Sequence, residues 1–200
     1  MAKIVDYYAS LISPWTYLGS QRLEQIAAKH GATLRIFPVD FGVVFPATGG
    51  LPLAKRAPER QRYRLMELER WRKHLGAPLV MHPKFFPANE SLAAQAVWVL
   101  KLEQGDAAAI KLAHAVLRAV WVEEKNIADP DTLKGVIVGA GFDGDALLAK
   151  AALPETAERR KKESEAAVAR GVFGAPSFVY NDEIFWGQDR LEFLDRALAG

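Results

Sequence analysis

The sequence predicts an α/β protein in which a βαβ unit at the start and a ββα unit at the end flank a long helical block. Three observations predict it. The first 40 residues read strand, helix, strand; the middle of the chain carries helical patterning almost throughout; and the last 30 residues carry two short β-prone runs joined by a turn dipeptide, then an amphipathic helix.

Taken in order, residues 3–9 hold Ile4, Val5, Tyr7 and Tyr8 in a short β-prone run. Ser13-Pro14 then opens a helix, because serine caps the first free N–H groups and proline at the first helical position gives up an N–H that has no partner anyway. Leu18, Leu23, Ile26 and Ala27 give that helix an apolar stripe, and Gly31 ends it. Residues 33–40 read as the second strand. Residues 58–75 place Tyr63, Met66, Leu68 and Trp71 among many charges, 89–104 and 106–125 are alanine-rich with Trp98 and Trp121, and 154–170 form a charged helix that stops at Gly171. Ser177–Tyr180 and Glu183–Trp186 are strands joined at Asn181-Asp182, and Leu191, Leu194 and Leu198 share one face of a final helix. That order is the order of a thioredoxin-like domain with helices inserted in its middle. The expected division is residues 1–42 and 171–200 for the thioredoxin-like part and 43–170 for the helical insertion.

Composition narrows the function classes. The chain has 200 residues, 26 Lys plus Arg against 24 Asp plus Glu, and a net charge of +2, which argues against a protein built around nucleic acid. Its densest basic run, Arg159–Lys162, is surrounded by glutamates and reads as a solvated helix face. With no cysteine, the chain has no disulfide, no thiolate metal site and no catalytic thiol of its own, so thiol chemistry requires a thiol carried by a ligand. No segment has the roughly 18 apolar residues of a membrane span, and the N-terminus lacks a signal-peptide pattern, so a cytoplasmic location is expected.

Gly139-Ala140-Gly141-Phe142-Asp143-Gly144 matches the dinucleotide pattern G-x-G-x-x-G, but the pattern needs a strand before it and an acidic residue ending a second strand about 20 residues later. Asp129-Pro130 instead starts a helix, and Leu133, Val136, Ile137 and Ala140 fall on one helical face. Gly141 then ends the helix and Asp143 caps the next. His30, His74, His82 and His114 show no metal-ligand spacing, and no metal site is expected.

Three pieces carry the chemistry. Ser13-Pro14-Trp15-Thr16 occupies the strand-to-helix loop where a thioredoxin-like redox enzyme carries Cys-x-x-Cys. The helix N-terminus stabilises an anion there, and Ser13 could donate a hydrogen bond to a thiolate supplied from outside. Gly174-Ala175-Pro176 opens the hairpin; fold context makes the peptide before Pro176 cis, and the preceding residue can offer its backbone to an extended peptide. Gly187-Gln188-Asp189-Arg190 opens the last helix, where a peptide carboxylate fits the N-terminus and Asp189 can cap the helix or take an ammonium group. Singly, Ser13 is a cap, Pro176 a turn and Asp189 a cap. Together and in this order they favour a site for a thiol-containing tripeptide.

On these motifs the chain resembles the 2-hydroxychromene-2-carboxylate isomerases, relatives of the kappa-class glutathione transferases in the DsbA-like branch of the thioredoxin superfamily. The matching segments are Asp6-Tyr7-Tyr8 through Leu18, Pro58 to Trp71, His82 to Pro87, Val172 to Ser177, and Phe185 to Leu191. The resemblance implies glutathione as cofactor, with Ser13 at its thiolate, Ala175 pairing with its cysteinyl backbone beside cis-Pro176, Gln188 and Asp189 at the γ-glutamyl end, and Arg60 near the glycine carboxylate. An asparagine contact found in some relatives has no counterpart in residues 47–51; Asn89 is a candidate pocket residue instead. The implied reaction is a glutathione-dependent cis–trans isomerisation of an aromatic carboxylate, by addition of the thiolate to a conjugated carbon, bond rotation and elimination. Trp15, Tyr17 and Phe45 are candidates for a wall over the substrate ring or for core packing. The resemblance also implies a homodimer. A glutathione-consuming transferase or peroxidase would present the same site, and a peptide-binding protein that uses strand addition beside Pro176 is the non-enzymatic alternative.

Overall fold

The computed structural model describes residues 2–200. A four-stranded sheet has the order β2-β1-β3-β4, with β1 (Ile4–Ala9) parallel to β2 (Thr33–Pro38) and antiparallel to β3 (Ser177–Tyr180), which pairs with β4 (Glu183–Trp186) as a hairpin. The turn residues Asn181 and Asp182 both have positive φ, 48° and 62°, as a two-residue hairpin turn of this hand requires. The register sets Tyr8 opposite Ser177. Asp6, buried within β1, is held by Arg35 on β2 at 2.6 Å and by Arg170 at 2.9 Å, so its charge is paired on both oxygens.

Helix α1 (Pro14–His30) crosses from β1 to β2 and ends at Gly31, whose φ of 61° closes the last turn. After β2 comes α2 (Phe41–Thr48), a helix the sequence pattern does not suggest: Gly42, Pro46 and two valines are poor helix formers. Asp40 caps it through Gly42 N–H at 2.7 Å, Phe41 packs at a tilt on Phe45, and tertiary packing outweighs propensity. The helical block continues with α3 (Pro58–Leu75), α4 (Ser91–Gln104), α5 (Asp106–Trp121), α6 (Pro130–Gly139), α7 (Gly144–Ala151) and α8 (Pro154–Ala169), and α9 (Leu191–Ala199) closes the chain. One continuous core runs from Val5, Tyr7 and Phe178 through Leu100, Leu117 and Trp121 to Ile137 and Leu147.

The G-x-G-x-x-G segment lies between two helices. Asp129 caps α6 through Thr132 N–H at 2.9 Å, Gly141 turns the chain at φ 89°, and Asp143 caps α7 through Ala146 N–H at 3.0 Å. No strand precedes the glycines, so the dinucleotide geometry is absent.

The basic run of α8 is solvated, as expected, at Arg159, Lys161 and Lys162, but not at Arg160. Arg160 is buried, 4 % exposed, and donates to Pro38 O (3.1 Å) and Val39 O (3.0 Å), with Asp40 and Glu90 carboxylates each at 3.4 Å. A charge run does not show which of its members points inward.

Candidate active site

The site is built where the sheet hands the chain to α1. Ser13 is the cap of α1: its Oγ accepts from Thr16 N–H at 3.3 Å, and its carbonyl accepts from Tyr17 N–H at 3.0 Å. The hydroxyl is half-buried and its own proton is committed to no acceptor in the structure. Pro14 supplies no N–H, so the first turn presents Trp15 N–H, which has no acceptor one turn back. Thr16, one turn on and on the same face, is fully buried with an unpartnered Oγ1.

The register of β1 with β3 brings Ala175-Pro176 beside this loop, since Tyr8 opposes Ser177 and the chains continue antiparallel past that pair. The Ala175-Pro176 peptide is cis. Ser177 Oγ donates to Gly174 O at 2.7 Å and Gly187 N–H donates to Pro176 O at 2.8 Å, which ties the start of the last helical segment to the proline. Ala175, half-exposed, has neither its N–H nor its C=O bonded to another described residue. Gly174 is needed by close approach: a Cβ there would collide with the Trp186 indole.

Gln188 and Asp189 begin a short 3-10 turn ahead of α9. Gln188 is turned inward, 1 % exposed, with its Oε1 accepting from Arg22 at 2.5 Å, and it lies so close to Gly19 that a Cβ on that glycine would sit 2.9 Å from its own. Asp189 points out, accepts from Arg190 at 2.9 Å, and is the group of this pair open to a ligand. Burial lowers the Arg22 guanidinium, and the nearby Asp189 charge offsets part of that. Ser13, Ala175, Pro176 and the Gln188-Asp189 turn are thus connected through hydrogen bonds and register. Arg60 is not: it is exposed on the first turn of α3 and its side chain makes no hydrogen bond or ion pair among the described residues.

Sequence reasoning missed two charged residues, one of which is bonded directly to the loop before Ser13. Glu90, just ahead of α4, accepts at Oε2 from Ser10 Oγ (3.0 Å), Leu11 N–H (2.5 Å) and Ile12 N–H (3.1 Å), so it holds the loop that leads into Ser13. Burial pushes its carboxyl up from the usual range, and Arg160 and the three donors oppose that without cancelling it. Its signal in the sequence was faint: one acidic residue ahead of an alanine-rich helix. The neighbouring Asn89 instead accepts from Ser91 N–H at 2.9 Å.

The second is Arg64. The acids of α3 are all spent on other partners: Glu59 on Arg62, Glu67 on Arg70, and Glu69 on Arg72 and Lys73. Arg64 is left half-buried with its guanidinium carbon 5.4 Å from the centre of the Phe86 ring. Burial, reinforced by Arg56, lowers it to about 10, so it stays cationic at neutral pH. Of the candidate apolar wall, Trp15 and Tyr17 pack partly on the core, and Tyr17 also borders a cavity of about 240 Å3 between α1 and α5 with Gln21, Pro78, His114 and Arg118. Phe45 packs on Phe41.

Among the described residues no cluster of His, Asp or Glu is arranged to hold a metal ion, and no helix is long and apolar enough to cross a membrane.

A thioredoxin-type sheet, a capped helix where the redox cysteines of such folds stand, and a cis-proline beside it define a class, and the chain belongs to the DSBA-like thioredoxin domain family, whose model matches residues 4–199. Within it, the chain is 30 % identical over 99 % of both chains to the 2-hydroxychromene-2-carboxylate isomerase of Sphingobium xenophagum. A solved 2-hydroxychromene-2-carboxylate isomerase superposes with a TM-score of 0.85 at 31 % identity, covering 98 % of this chain and 94 % of that one. Human glutathione S-transferase kappa 1 is 24 % identical, covering 100 % of this chain and 92 % of its own.

Proposed function

We propose that this protein is a glutathione-dependent isomerase that converts an aromatic carboxylate of the 2-hydroxychromene-2-carboxylate type to a trans-o-hydroxybenzylidenepyruvate type product. The observation that carries the reading is Ser13. Its oxygen is engaged by Thr16 N–H, so its hydrogen is the free end, and it stands on the positive end of α1. That is an arrangement for stabilising an anion with no group in the chain to become that anion, because the chain contains no cysteine.

The remaining residues fit a thiol-bearing tripeptide. The unpaired backbone of Ala175 beside cis-Pro176 suits an extended peptide. Asp189 suits an ammonium group, with Gln188 serving through its backbone N–H, since Arg22 holds both its side chain and its carbonyl. Arg60, free of internal partners, suits a carboxylate. When bound, glutathione supplies the thiolate that adds to a conjugated carbon and leaves again, so a double bond becomes rotatable for the lifetime of the adduct. Ser13 lowers the thiol pKa by a charge-assisted hydrogen bond, and the first-turn N–H of α1 adds to it. In this reading residues 1–42 and 171–200 form the unit that carries the thiolate site and residues 43–170 the helical unit that encloses it, the active form is a homodimer, and the protein works in the cytoplasm, where glutathione keeps thiols reduced.

The likeness to a kappa-class glutathione transferase favours a second reading with the same residues, in which glutathione is consumed. The stoichiometry of free thiol during turnover of 2-hydroxychromene-2-carboxylate separates the two. Complete conversion with thiol unchanged is expected; loss of one thiol per product makes the protein a transferase, and no conversion defeats the isomerase reading.

A further inference from the structure

Half-buried guanidinium groups in a folded protein have acceptors, because removing a cation from water without a partner is unfavourable. Arg64 has none among the described residues, although α3 carries three glutamates, each of which pairs with another base. Its charged neighbour is a like charge, Arg56, whose Nε is spent on Leu51 O at 2.8 Å. None of its nitrogens is sealed off from solvent without a partner, so the fork is reachable. Beneath it lies the Phe86 ring, which in turn rests on Trp121 with ring centres 4.8 Å apart.

The ring beneath this cation is joined through a short stretch of chain to the loop before Ser13. Glu90, four residues after Phe86, is hydrogen-bonded to Leu11 and Ile12 N–H, immediately before Ser13. The segment from Phe86 to Glu90 therefore connects the Arg64 guanidinium to the loop of the thiolate site. Arg60, one turn earlier on α3, is exposed to solvent and lies over no aromatic ring among the described residues, whereas Arg64 offers a planar cation above an aromatic face.

We propose that Arg64 is the binding residue for the carboxylate of the aromatic 2-oxo acid, with Phe86 as the apolar floor of that subsite, while Arg60 is left for the glycine carboxylate of the tripeptide. The inference rests on the isomerase reading above. A guanidinium takes a carboxylate through two parallel hydrogen bonds, and an apolar surface next to it serves the ring of the same ligand. Glutathione and the aromatic acid both carry carboxylates, so the test must tell them apart.

The experiment measures three dissociation constants on the full chain: for S-methylglutathione, for trans-o-hydroxybenzylidenepyruvate, and for trans-4-(2-hydroxyphenyl)but-3-en-2-one, in which a methyl group replaces the carboxylate. The two aromatic ligands are titrated with and without saturating S-methylglutathione, which has no free thiol and permits no turnover. Wild type is expected to bind the acid about 30-fold more tightly than the ketone, as a charge-assisted pair contributes. Arg64→Gln should reduce that preference to within about threefold and leave the S-methylglutathione constant within about twofold. Arg64→Lys, which keeps the stem over Phe86 and the charge but not the planar fork, should retain part of the preference. Arg60→Gln should keep the preference and weaken S-methylglutathione. An undiminished acid preference in Arg64→Gln, or a loss confined to S-methylglutathione, overturns the assignment, as does a wild type that does not distinguish acid from ketone. Failure of wild type to bind S-methylglutathione at millimolar concentration defeats the glutathione reading alone; the acid preference and its loss in Arg64→Gln still decide the carboxylate site.

Discussion

Replacing Glu90 with alanine removes the acceptor of three hydrogen bonds and one side of a buried ion pair. Leu11 N–H, Ile12 N–H and Ser10 Oγ lose their partner, and Arg160, 4 % exposed, keeps two backbone carbonyls and Asp40 but loses its second carboxylate. Breaking a buried pair from one side costs about 3–5 kcal/mol, against a total stability of about 5–15 kcal/mol for a domain. Glu90→Gln keeps one acceptor oxygen and should cost about 1–2 kcal/mol. The assay is urea unfolding followed by tryptophan fluorescence at pH 7, with the slope unchanged and the midpoint lowered. The wild-type carboxyl is raised by burial, so its folded form takes up protons that its unfolded form does not. Its contribution is full below the unfolded pKa, about 4.5, and declines as pH rises through the raised value, so the advantage of wild type over Glu90→Gln should shrink across that interval. A Glu90→Ala loss under about 1 kcal/mol would refute the claim that this carboxylate holds the Ser13 loop.

Other expectations concern the rest of the site and its surroundings. Gly174→Ala drives a methyl group into the Trp186 indole and disturbs its contact with Phe173, and should cost about 1–3 kcal/mol in the same unfolding assay; unchanged stability would mean that the indole swings away freely. His114 is largely buried, with Nε2 2.8 Å from Ser20 Oγ and Nδ1 3.3 Å from Glu24, and burial lowers its pKa more than Glu24 raises it. The unfolded chain therefore takes the proton first, and the stabilisation, full above about pH 6.5, should be lost as pH falls below that value and through the lowered folded one. His114→Gln should flatten the urea midpoint between pH 7 and 5, and an identical slope in both proteins would exclude His114 as its source.

Most of the fold was legible because local signals agreed with the tertiary outcome. Ser13-Pro14, Asp129-Pro130 and Asp143 each act as the caps their types suggest, and Asn181-Asp182 turns the hairpin. Helix α2 was not legible, since its residues are poor helix formers held by packing on α8 and by the tilted Phe41–Phe45 pair. The three segments of the proposed thiolate site are visible as local structure, a cap, an X-Pro peptide and a helix start, because those features depend on neighbours in sequence. Gln188 shows the limit of that reading, because only the fold reveals Arg22 occupying its amide. Glu90, Arg64 and Arg160 were hidden for the same reason. Their roles come from partners 70 or more residues away, or from the lack of a partner, and spacing along the chain carries no information about either.

The central claim is that Ser13 and the start of α1 stabilise a thiolate the chain itself lacks. Its most direct test is the absorbance of bound glutathione near 240 nm as a function of pH, in wild type and Ser13→Ala. The account predicts that binding lowers the thiol pKa below its free value and that Ser13→Ala raises it again by about 1–2 units, the worth of one hydrogen bond to a charged acceptor. A thiol pKa unchanged by binding, or identical in the two proteins, would contradict it.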